Sequence, residues 1–91
     1  MSLPTDSKAR KEIPLYEGVF KFFPDALACV AHRSYVVSAQ HHPGEPVRWN
    51  RAKSTDELDA MLRHMLDEDW EAVAWRALAN LQKKYEEGYR P

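Results

Sequence analysis

The sequence predicts an all-α fold: a three-helix small bundle with an extended aromatic N-terminal strap, completed by oligomerisation. Three observations predict it. Apolar residues recur at three- and four-residue spacing in three separate segments. Helix start and stop residues bracket those segments. No segment alternates apolar and polar residues as a half-buried strand would.

Residues 1–13 are polar, with Lys8, Arg10 and Lys11 close together, and read as a flexible N-terminal arm. Residues 14–91 read as a single helical domain. Its first stretch, PLYEGVFKFF, holds Pro14 and Gly18 and then Phe20, Phe22 and Phe23. That mix suits an extended strap that lays its aromatics on the core better than a helix interior.

The first long helix is predicted from Pro24 to about Gln40. Proline at the first helical position loses no needed hydrogen bond, and Asp25 suits the positive end of the helix dipole. Leu27, Val30, Ala31, Ser34, Val37 and Ser38 form its stripe, with small residues that admit a close neighbour. His41-His42-Pro43-Gly44-Glu45-Pro46 ends it.

A second helix is predicted from Ser54, where Ser54 and Glu57 match a capping box. Leu58, Met61, Leu62, Met65 and Leu66 make its apolar face. A third runs from about Asp69 to Glu87, with Trp70, Ala74, Ala77, Leu78, Leu81 and Tyr85 facing inward and Gly88 as its stop. One apolar face per helix makes a thin core for 91 residues, so a homo-dimer or higher homo-oligomer is expected.

Composition narrows the functional classes. With 44% hydrophobic and 30% charged residues the chain is globular rather than a disordered tail. A net charge of −1, from 13 basic and 14 acidic residues, argues against a protein that coats nucleic acid. No apolar run approaches the roughly 20 residues that span a bilayer. The opening MSLPTDSKARKEIP has no apolar signal core, which points to a cytoplasmic protein. The single cysteine, Cys29, provides neither a disulfide framework nor a Cys-based zinc cage.

Two clusters could carry chemistry. Asp56-x-x-Asp59 places two acids on adjacent helical turns, with Asp67 on the same flank, as a hard divalent cation requires. The structural alternative is that these acids are a solvated face favoured near a helix N-terminus. His64 sits at the edge of the apolar face and is a candidate ligand or general base, or a half-buried packing residue. The loop from His41 to Lys53 supplies the second cluster. Arg48, Arg51 and Lys53 precede a helix N-terminus, whose free N–H groups and dipole bind phosphate. Trp49 lies among them, either stacking on a base or plugging the core beneath the loop.

Several strings together carry a resemblance. They are Lys8-x-Arg10-Lys11-x-x-Pro14, Phe23-Pro24-Asp25-Ala26-Leu27-Ala28, and His42-Pro43-Gly44-Glu45-Pro46 with Trp49 and Arg51. Lys53-Ser54-Thr55-Asp56, Leu62-Arg63-His64 and Ala74-Trp75-Arg76-Ala77-Leu78-Ala79 complete them. Over residues 8–82 the chain resembles a family of small phage and prophage proteins, the N-terminal domain of dATP/dGTP diphosphohydrolases. That family is related to the all-α, MazG-like nucleoside triphosphate pyrophosphohydrolases.

The resemblance implies a hydrolase that cleaves a deoxynucleoside triphosphate to monophosphate and pyrophosphate with a divalent metal, Mg²⁺ first and Mn²⁺ or Co²⁺ next. On this chain it implies Asp56, Asp59 and Asp67 on the metal side. It implies His64 as the group that orients water, and Trp49, Arg51, Lys53 and Arg63 on the substrate side. MazG-like enzymes carry Glu-x-x-Glu on one helix and Glu-x-x-Asp on the next. Here the first helix offers only Asp25, and the acids crowd onto the second and early third. The alternative function is a non-catalytic helical interaction or regulatory module.

Overall fold

The computed structural model describes residues 3–51 and 56–90, and these form an all-helical chain. The elements are α1 (Ser7–Lys11), a π-helical turn (Tyr16–Phe20), α2 (Pro24–His41), α3 (Glu57–Leu66) and α4 (Trp70–Glu86). Among the described residues there is no strand, and no helix is long and apolar enough to cross a membrane.

The N-terminal region is more helical than its sequence suggests. Asp6 caps α1 by accepting the Ala9 N–H at 2.9 Å, and basic residues crowd the last turn, where they complement the dipole. Residues 16–20 coil where an extended strap is expected. Pro14 lies before the turn, where its missing N–H costs nothing, and its carbonyl accepts the Gly18 N–H at 2.8 Å. A side chain at position 18 would press on the Pro14 ring, so glycine is what allows the tight turn. The strap's aromatics remain exposed, with Tyr16 stacked on Phe20 and Phe22 edge-on to Phe23.

The three long helices follow the expected order. Pro24 opens α2, and the chain leaves it through Gly44, whose φ of +77° is in the left-handed region. Leu27, Val30, Ser34 and Ser38 of the expected stripe are at least half-buried, whereas Ala31 and Val37 are exposed. The described part of α3 begins at Glu57, with Asp56 in the cap position; the expected cap, Ser54, lies outside the described residues.

The turn from α3 to α4 is a Schellman motif. The Asp69 N–H donates to the His64 carbonyl at 2.9 Å and the Glu68 N–H to Met65 at 3.1 Å, with Glu68 left-handed at φ 56°. The same motif ends α4, where Tyr89 donates to Lys84, Gly88 to Tyr85, and Gly88 takes the positive φ.

α2 and α3 both pack on α4. The buried residues at these contacts are small: Ser38, Ala60, Ala72 and Ala79. Small side chains let backbones approach, but they bury little apolar area. The expected apolar faces of α3 and α4 are covered only in part, with Met61, Ala74 and Tyr85 half-buried. Leu58, Leu62, Met65 and Leu66 of α3 are exposed, as are Trp70, Leu78 and Leu81 of α4. The inward face of α3 is instead Glu57, Ala60, Met61 and His64, and that of α4 includes Ala72, Trp75, Arg76, Ala79 and Lys83. A helix turns its polar face inward when that face can form ion pairs there, as the next section describes.

Candidate functional site

A cleft of about 340 Å³ opens between α2, the loop that follows it, and the α3–α4 pair. α2 contributes one continuous face: Arg33, Ser34, Val37, Ser38 and His41. Positions spaced by three and four residues project from the same side of a helix. α3 contributes His64 and its cap residue Asp56, and α4 contributes Ala72, Trp75 and Arg76. The loop closes the cleft with His42, Arg48, Trp49 and Asn50.

The loop is tied down at two points. Buried Ser38 accepts the Arg48 backbone N–H at its Oγ (3.2 Å) and the His42 N–H at its carbonyl (2.7 Å). The Arg48 guanidinium donates to His42 Nδ1 at 2.9 Å, while Glu45 lies 3.3 Å from the same nitrogen. The first contact needs a bare nitrogen and the second an N–H, so the tautomer of His42 selects its partner.

Trp49 is half-buried at the cleft wall. Its ring meets Trp75 edge-on at 5.4 Å, the favoured geometry for two quadrupoles. The Arg51 guanidinium lies 4.5 Å from the Trp49 ring centre and the Lys83 ammonium 5.6 Å from it. Arg51 also pairs with Glu86. Lys83 donates to the Arg51 carbonyl at 3.2 Å, which fastens the loop to α4.

Beneath the cleft, Glu57 holds α3 to α4. Its carboxylate accepts Lys83 at 2.8 Å and Arg76 at 3.2 Å. Burial pushes the Glu57 carboxyl up, but the hydrogen bonds and charges of Lys83 and Arg76 together outweigh it. The group is held below its ordinary value. On the other side Arg33 of α2 pairs with Asp69 at 2.8 Å, and His64 Nδ1 lies 3.8 Å from the same carboxylate oxygen. These pairs fix the Arg33 and Arg76 guanidinium groups beside the cleft.

The structure brings together three of the residues expected from sequence: Trp49, Asp56 and His64 line one cleft. Arg51 stands behind Trp49 rather than on the wall. Arg63 is exposed and pairs with Asp56 at 2.9 Å. Asp59 and Asp67 are exposed and stand off the cleft wall. Lys53 lies outside the described residues. Among the described residues no three His, Cys, Asp or Glu side chains converge as a metal-binding group. Of the expected trio of acids, Asp56 alone is on the cleft wall.

Sequence reasoning missed Arg33, Arg76 and Asp69. Arg33 had a local signal, being adjacent to the Ser34-Val37-Ser38-His41 face. Asp69 had none, because its partner lies 36 residues away. No family model, no curated protein and no solved structure matches this chain, so the family resemblance rests on its motif residues alone.

Proposed function

We propose that this cleft is the substrate site of a nucleoside triphosphate pyrophosphohydrolase acting on deoxynucleoside triphosphates. One observation carries the reading. Arg33, Arg48 and Arg76, three histidines and two tryptophans share the wall with a single carboxylate among the described residues, Asp56. Arginines recognise phosphate through paired N–H groups, and indole faces accept a base. The volume falls within the roughly 300–1,000 Å³ typical of small-ligand sites.

In the proposed reaction a water oxygen attacks the α-phosphorus and forms a new P–O bond. The bond from that phosphorus to the bridging oxygen breaks, and pyrophosphate leaves with the bond's electron pair. His64, 3.8 Å from the Asp69 carboxylate, takes the proton from water. The three arginines balance charge on the phosphates. A divalent cation, Mg²⁺ or else Mn²⁺ or Co²⁺, would enter with the nucleotide's own oxygens. Asp56 is the carboxylate on the wall within the cation set expected from sequence, and no step here runs through the ion.

The test is pyrophosphate release from each deoxynucleoside triphosphate with Mg²⁺, Mn²⁺ or Co²⁺. Turnover lost in His64→Ala, with the fold retained, supports the reading. A second reading is a module that holds a nucleotide without cleaving it, since the arginines and indoles on the wall suit binding whether or not cleavage follows. That module would give a ligand-dependent rise in Tm and no pyrophosphate. Neither turnover nor a shift in Tm would overturn both.

A further inference from the structure

Taken alone, this chain leaves its best apolar surfaces in water. Leu62 is 53% exposed, Leu66 86% and Trp70 59%, while the buried apolar residues are alanines. The accessible surface is 7349 Å², whereas a compact monomer of 10.6 kDa exposes about 5,500 Å². The radius of gyration is 15.1 Å, against about 12 Å for a compact chain of this length. The excess of about 1,900 Å² is spread over the whole chain, the exposed strap included, and is of the size that one subunit of an obligate homodimer buries.

We infer that a second copy of this chain seats on the outward stripes of α3 and α4. Leu58, Leu62 and Met65 would face it from α3, and Leu78 and Leu81 from α4. These positions recur at helical spacing, so each set forms a ridge rather than scattered contacts. The other occupants are less suited. The described N-terminal segment already lies elsewhere and leaves its own aromatics exposed. A membrane surface would call for a basic rim, but Asp59 and Asp67 stand on α3 or at its end and Glu71 on α4. An apolar stripe of this extent is the pattern of a permanent contact, and a self-complementary patch closes as a two-fold pair.

The inference is independent of any nucleotide, and its test uses the protein alone. Sedimentation velocity at micromolar concentration is expected to give at least twice 10.6 kDa. Tm is expected to rise with protein concentration, because association is linked to folding. Leu62→Lys combined with Leu81→Lys is expected to bring the mass to 10.6 kDa or to abolish the fold, while Tyr35→Lys on α2 leaves the mass unchanged. A wild-type monomer whose Tm does not depend on concentration overturns the inference. So does a double variant that keeps the wild-type mass, or a loss of mass with Tyr35→Lys. If the double variant unfolds, the wild-type concentration series decides.

Discussion

Asp69 occupies the cap position of α4, yet its carboxylate reaches across to Arg33 of α2 at 2.8 Å instead of capping the helix. Its backbone N–H meanwhile closes the turn that ends α3. One residue thus joins three helices and stands 3.8 Å from His64 Nδ1. Asp69→Asn preserves the shape and removes the charge. Because the pair is about 30% exposed, its loss is expected to cost only about 1 kcal/mol of stability. Turnover in the proposed reaction is expected to fall at least tenfold, chiefly in kcat, because His64 loses the neighbouring negative charge as it takes up the proton. Chemical denaturation paired with a pyrophosphate assay separates the two effects. Unchanged kcat removes Asp69 from the mechanism.

Glu57 gives the fold a pH dependence with a definite sign. Its folded-state pKa is below the ordinary 4.5, because Lys83 and Arg76 favour the charged form more strongly than burial opposes it. The stabilisation is therefore fully present above about pH 4.5 and lost as pH falls through the lower folded value. Glu57→Gln leaves two half-buried cations without their carboxylate and is expected to cost about 1–3 kcal/mol at pH 7. Thermal melts between neutral and acid pH should show the wild type converging on the variant at the acid end. Parallel curves would show that Glu57 is not the titrating group.

The sequence makes legible what depends on local chemistry. Pro24 and Gly88 mark helix ends, and spacing within each helix places Ser34, Ser38 and His64 toward their neighbours. The loop's Trp49 and the cap residue Asp56 also reach the cleft. Helix orientation is another matter. The assumption that an apolar stripe faces its own core fails for α3 and α4, because Glu57, Arg76 and Lys83 satisfy one another inside and leave the leucines outside. Arg33 and Asp69 were hidden for a related reason: their pairing arises only when two distant helices meet.

The α3–α4 turn carries a correctable strain. Glu68 holds a left-handed φ of 56°, a conformation that costs a residue with a Cβ about 1–2 kcal/mol relative to glycine. Among the described residues Glu68 has no ion-pair partner. Glu68→Gly is expected to stabilise the protein by about 0.5–1 kcal/mol, since greater freedom in the unfolded chain offsets part of the gain. Gly88→Ala makes the reverse change in the equivalent turn of α4 and is expected to lower Tm. A fall in Tm with Glu68→Gly would mean that the carboxylate has a role beyond the turn.

Trp49 offers the most direct optical test of the cleft. It stands on the wall between Trp75 and the Arg51 and Lys83 cations, whereas Trp70 is exposed and away from the cleft. A nucleotide base stacking in the cleft quenches an indole it touches. Adding a deoxynucleoside triphosphate is therefore expected to quench tryptophan emission in the wild type and in Trp70→Phe, but much less in Trp49→Phe. Phenylalanine keeps an aromatic edge against Trp75, so the stability loss should stay near 1 kcal/mol, and the altered signal cannot be blamed on unfolding. Affinity should fall about tenfold at most, since stacking on a base is worth roughly 1–3 kcal/mol and the smaller ring keeps part of it. Equal quenching in all three proteins would place the base elsewhere. Quenching lost only in Trp70→Phe would move the ligand to the outward face of α4, where the second copy is expected.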